Sequence, residues 1–201
     1  MAAEFAVAQT FEDSLKSNHI EVGERAFRTL LNIIGEDPMR EGLRDTPARA
    51  VRAMLELTAG YREEPKKILS TTFAERSDEI VIVRDIEFTS LCEHHLLPFI
   101  GTADLGYLPK DRVVGLSKLP RLVLAFARRL QIQERMTREI AEAIALYLDA
   151  RGVAVIIKAK HLCMGCRGVK QPSAEMITSA MLGVFRDNGA ARNEFLQLTR
   201  A

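Results

Sequence analysis

Two short clusters, Cys92-Glu93-His94-His95 and His161-Leu162-Cys163-Met164-Gly165-Cys166, hold every cysteine and three of the four histidines of this 201-residue chain. Thiolate and imidazole are the preferred donors for zinc, and a tetrahedral site takes four protein ligands or three plus a water. A fold that uses both clusters on one ion must bring two distant segments to a common point. An odd cysteine count also speaks for metal or catalytic chemistry in a reducing compartment rather than for disulfides.

The remaining composition narrows the partners. Lys and Arg number 28 against 27 acids, a net charge of +1. No global field therefore draws the chain to nucleic acid or to a membrane surface, and an anion must be held locally. No segment reaches the roughly 18 uninterrupted apolar residues of a membrane span, and residues 1–13 lack a basic region followed by an apolar run. The expectation is a cytoplasmic protein with a small-molecule partner. With 47% hydrophobic residues, the chain can bury a substantial core.

Periodicity divides the chain into a variable arm over residues 1–17, a helical segment over 18–64, and a larger domain over 65–201 that carries both clusters. Ile20, Ala26, Leu30, Leu31 and Ile34 have helical spacing, with Gly35 as the stop. Thr46-Pro47 reads as a second helix start, Thr46 as N-cap, followed by Val51, Met54 and Leu55 on one face. Residues 79–83 and 86–88 read as a strand running into the first cluster, and residues 99–107 as its antiparallel partner. Helices follow over 117–130 and 134–149. A strand from Val153 then leads into the second cluster, its alternation placing Ile157, Ala159, His161 and Cys163 on one side. Residues 176–185 fit either a strand or a helix, and 190–198 a helix.

Two metal readings compete on these residues. Cys92-x-x-His95 with Cys163-x-x-Cys166 makes a Cys3His set, a closed structural site. Alternatively Cys92, His95 and Cys163 bind the ion, a water takes the fourth place, and His94 and His161 stand beside it as acid and base. The surplus histidines favour the second, because a structural knuckle has no use for two extra imidazoles. Elsewhere, Ser117, Lys118 and Arg121 stand at a helix start, where dipole, free N–H groups and two cations suit a phosphate, although two cations also suit a solvated face. Arg167 follows the second cluster and adds a further charge. Gln133-Glu134 opens the next helix; a carboxylate there either complements the helix dipole or accepts two hydrogen bonds from a guanine edge. A G-x-x-x-x-G-K-[ST] loop is absent, so any nucleoside triphosphate is held without that cradle.

Several of these motifs, in this order, resemble the GTP cyclohydrolase I family. They are Leu91-Cys92-Glu93-His94-His95, Gly115-Leu116-Ser117-Lys118-Leu119, Gln131-Ile132-Gln133-Glu134-Arg135-Met136-Thr137, and His161-Leu162-Cys163-Met164 followed by Arg167-Gly168-Val169. Thr46-Pro47-x-Arg49 and Arg192-Asn193-Glu194-Phe195-Leu196 also fit.

The resemblance implies an α+β tunnelling fold (T-fold), ββααββ with an antiparallel sheet on two helices, which makes residues 174–185 a strand. It implies a homodecamer with shared active sites, Zn2+ on Cys92, His95 and Cys163, and acid/base roles for His94 and His161. Glu134 would read the guanine edge with Gln133 nearby. Ser117, Lys118, Arg121 and Arg167 would hold the ribose-triphosphate end, with Arg49 reaching a neighbouring subunit's site. The implied reaction opens the imidazole ring of GTP at C8, releases formate and recloses to 7,8-dihydroneopterin triphosphate. Cys166 departs from the family pattern, and its expected role is packing as a small apolar residue. A Cys3His-stabilised nucleotide-binding oligomer, or another T-fold enzyme acting on a purine or pterin, are the alternatives.

Overall fold

A computed structural model describes residues 17–75 and 77–200. The arm expected over residues 1–17 lies, but for its last residue, outside the described residues. The chain separates into two compact units, one ending at Arg62 and the other beginning at Glu63. Among the described residues, no helix is long and apolar enough to cross a membrane.

In the first unit, α1 (Ser17–Ile33) and α2 (Thr46–Leu57) are followed by a 3-10 turn, Ala59–Arg62. Gly35 ends α1 as expected, at φ +87, a conformation costly for any residue with a Cβ. The start of α2 differs from expectation. Asp45 is the N-cap and Thr46-Pro47 are the first helical residues, while the Thr46 hydroxyl donates backward to the Gly42 carbonyl at 3.4 Å.

The second unit runs α3 (Pro65–Ile68), β1 (Thr72–Ala74), β2 (Val81–Cys92), β3 (Pro98–Leu108), β4 (Arg112–Val114), α4 (Lys118–Ala127), β5 (Leu130–Gln131), α5 (Gln133–Leu148), β6 (Gly152–His161), α6 (Leu162–Gly165), β7 (Met176–Gly183), α7 (Val184–Asp187) and α8 (Gly189–Leu198). The main sheet has the order β5-β2-β3-β6-β7, antiparallel except for the short β2–β5 pairing. With α4 and α5 between the two hairpin pairs, this is the ββααββ arrangement of the tunnelling fold. Residues 176–183 form a strand because Met176 to Gly183 pair in register with Ala159 to Gly152 of β6. That pairing overrides a pattern which served a helix equally well.

Period-two alternation along β6 builds two cores. Val153, Val155, Ile157 and Ala159 point into the cluster containing Leu122, Phe126, Met136 and Ile140 of α4 and α5. Ala154 and Ile156 point the other way, against Phe185 and Phe195 of α7 and α8. Burying both faces makes β6 a near-continuous apolar run that ends abruptly in Lys158, Lys160 and His161. The register between β2 and β3 slips between Val83 and Ile86, where Asp85 adopts φ +55 and its N–H donates to Asp104 at 2.9 Å. This bulge bends the strand on its way to Cys92.

Candidate metal centre and surrounding side chains

Both clusters stand at the same end of the sheet, because β2 and β6 flank β3 and each ends beside the β3 start. Leu91 pairs with Pro98, and Phe99 pairs with His161. Between β2 and β3 the chain turns tightly. Cys92 N–H donates to the Leu97 carbonyl at 2.9 Å, His95 and Leu96 donate back to the Cys92 carbonyl, and Leu96 takes φ +54. The turn puts Cys92 Sγ 3.7 Å from His95 Nδ1.

Cys163 arrives differently from the alternation expected of it. β6 ends at His161, and Cys163 lies on the single helical turn α6, closed by Cys166 N–H donating to Leu162 at 2.9 Å. The turn still delivers its thiol: one donor atom each from Cys92, His95 and Cys163 lie within 4.8 Å of one another. Cys92 is buried, Cys163 partly buried and His95 exposed, so the cluster opens to one side. Burial, and then the adjacent Cys92, push the Cys163 thiol up. Two soft thiolates and an imidazole are a zinc-type donor set. Cys166 is exposed and stands outside this group, which also ends its expected role as a packed apolar residue.

The two histidines beside the cluster have unlike environments. His94 is exposed, its Nε2 3.8 Å from Glu93 Oε1, and its ring crosses that of His95 edge-on at 6.2 Å between centroids. Glu93 is itself held by Arg135, whose guanidinium also donates to Gln131 Oε1 at 3.1 Å and to the Leu130 carbonyl at 3.0 Å. The hydrogen bond from Arg135 keeps the Glu93 carboxyl below its usual range. Neither Glu93 nor Arg135 is singled out by donor type or spacing alone. The signal available was an acid inside the first cluster and a cation beside Glu134. His161 is partly buried and stacks on Phe99 at 4.5 Å with a 5° interplanar angle. Burial lowers its pKa, and the charge of Glu134 opposes that shift.

The expected substrate contacts fall into two groups. Glu134 is exposed in the first turn of α5, close enough to act electrostatically on His161. Gln133, by contrast, is only 1% exposed, with its amide committed to His161, Thr178 and two main-chain carbonyls. Lys118 and Arg121 lie in the first turn of α4, where the N-cap Ser117 makes no side-chain cap bond. Arg167 is exposed beyond α6. Among the described residues, no side-chain hydrogen bond or ion pair ties Lys118, Arg121 or Arg167 to the Cys-His cluster. Arg49 lies on α2 of the first unit, paired with Asp45 at 3.1 Å.

Known proteins carry the same sequence pattern. A family model described as GTP cyclohydrolase I matches residues 23–200. "GTP cyclohydrolase 1" of Alkalilimnicola ehrlichii is 57% identical over 178 residues, covering 88% of this chain and 96% of that protein. "GTP cyclohydrolase 1 1" of Pseudomonas aeruginosa is 56% identical over 86% of this chain and 93% of its own length. "GTP cyclohydrolase 1" of Coxiella burnetii is 53% identical over 86% and 95%. Among solved structures, the archaeosine synthase QueF-Like in the apo form is similar at TM-score 0.45 and 16% identity, covering 54% of this chain and 97% of that one. With a family match across nearly all of its length and relatives above half identity, this chain belongs to the GTP cyclohydrolase I family.

Proposed function

We propose that this chain opens the imidazole ring of GTP at C8, releases formate, and recloses the remainder to 7,8-dihydroneopterin triphosphate, with a net uptake of one water. The observation that carries the reading is the convergence of Cys92, His95 and Cys163 within 4.8 Å while Cys166 stays outside. Three protein donors leave a coordination position open, which separates a catalytic site from a closed knuckle. A zinc ion held by these three residues would supply Lewis-acid activation of the attacking water.

The protein's own groups do the rest. His94, exposed and backed by Glu93, and His161, fixed against Phe99, serve as proton donor and acceptor during ring opening. The Glu134 carboxylate accepts the N1–H and 2-amino hydrogens of guanine. Ser117, Lys118, Arg121 and Arg167 hold the ribose and triphosphate, joined by Arg49 from a neighbouring subunit. Remote binding energy then holds C8 against the metal centre. The homodecamer draws support from two sheet edges. Among the described residues, β5 covers only Leu91 and Cys92 of β2 and β7 pairs only with β6, which leaves strand hydrogen-bonding groups for another copy. The balanced charge and the small polar substrate fit a cytoplasmic enzyme.

The test is a pair of variants. His94→Ala and His161→Ala each keep bound metal but lose turnover of GTP by about 10²–10⁴-fold. Wild-type turnover in either variant refutes the role given to that histidine.

A further inference from the structure

The buried Gln133 side chain has no rotational choice. Its Nε2 faces the main-chain carbonyls of Ile157 at 3.1 Å and Met176 at 3.0 Å, and carbonyls only accept. Its third neighbour, Thr178 Oγ1 at 3.1 Å, is also confined to accepting. Thr137 spends its hydroxyl hydrogen on the Gln133 main-chain carbonyl at 2.7 Å, so Thr178 must donate to Thr137, also at 2.7 Å. A flipped amide would aim its oxygen at three acceptors, an uncompensated loss in a site 1% exposed. The amide oxygen is therefore fixed on the other side, 2.8 Å from His161 Nε2.

That oxygen can only accept, so His161 Nε2 must carry a hydrogen. Phe99, stacked on the ring with a 5° interplanar angle, restrains it from turning over and putting Cε1 in the place of Nε2. We propose that Gln133 is the positioning residue for His161: it fixes Nε2–H as the standing hydrogen and leaves Nδ1 as the nitrogen that serves the reaction. The chain of constraint runs from β6 and β7, through Thr178 and two strand carbonyls, into α5 and back to the end of β6. The sheet pairing itself thus sets the tautomer of a histidine at the site. The inference rests on the acid/base role assigned to His161 above, and it reassigns Gln133 from substrate contact to support.

Gln133→Leu keeps the side-chain volume and removes the acceptor. It should lower kcat by about 10²-fold while KM for GTP stays within about threefold, since it misorients a reacting group without touching substrate. A raised KM with kcat intact would make Gln133 a substrate contact and overturn the proposal. So would a wild-type kcat in Gln133→Leu beside an inactive His161→Ala. A fully active His161→Ala would instead sink the acid/base reading on which both depend. If Gln133→Leu fails to assemble, the wild-type protein decides. With 15N-labelled histidine, and the His161 signals identified by their loss in His161→Ala, Nε2 should be of the protonated, pyrrole type. A pyridine-type Nε2 in neutral His161 overturns the proposal.

Discussion

The Tyr107 hydroxyl accepts the main-chain N–H of Val114 at 3.0 Å inside the core, where Tyr107 is 1% exposed. This bond ties β3 to β4, and the chain leaving β4 forms the Gly115–Lys118 turn into the proposed triphosphate helix. Tyr107→Phe strands a buried N–H and should cost about 1–3 kcal/mol, read as a lower melting temperature. Because the anion-holding segment hangs from β4, KM for GTP should rise in the same variant. An unchanged melting temperature would show that the bond contributes nothing.

Glu93 and Arg135 brace the turn that carries Cys92 and His95. Glu93 N–H donates to the Gln131 carbonyl at 3.0 Å, and its carboxylate is held by Arg135. Arg135→Leu should let the turn loosen and speed loss of metal to a chelator by about 10-fold, the lower range for outer-shell partners. A rate equal to wild type would remove Glu93 and Arg135 from the account of the site.

Gly101 of β3 pairs with Ala159 of β6. A Cβ there would sit 1.9 Å from the Lys158 carbonyl oxygen and 2.7 Å from Ala159 Cα, both backbone atoms that cannot step aside. Gly101→Ala should destabilise the fold by about 3 kcal/mol or more. Since the β3–β6 pairing delivers His161 and α6, bound metal should fall with stability. Denaturant titration alongside metal analysis checks both, and a wild-type midpoint would contradict the packing described.

The ligand set makes its own prediction. Cys92→Ser, His95→Ala and Cys163→Ser should each abolish tight zinc binding, whereas Cys166→Ser should keep about one ion per chain, as three-ligand sites do, and keep turnover. Loss of metal from Cys166→Ser would favour the closed Cys3His site.

Much of this was legible in the sequence because the two clusters and the strands feeding them carry strong local signals. Val153 to Ile157 could hardly be other than a buried strand, and Pro98 suits a first strand residue. What stayed hidden depends on pairing at long range. The bulge at Asp85 needs Asp104 from the next strand to cap its N–H. The strand over 176–183 needs β6, since Met176, Ala180, Met181 and Val184 suit a helical stripe as well. Cys163 left the expected alternation because α6 begins directly after His161. The commitment of Gln133 was invisible for the same reason: its partners Ile157, Met176 and Thr178 come from two strands distant in sequence.

The central claim is hydrolysis at C8 of GTP, and isotope at that carbon tests it most directly. Zinc-loaded protein incubated with GTP labelled at C8 should release the label as formate, in about one-to-one ratio with a pterin that becomes fluorescent after oxidation. Label retained in the nucleotide, with neither formate nor pterin formed by fully assembled, zinc-loaded protein, would contradict the account.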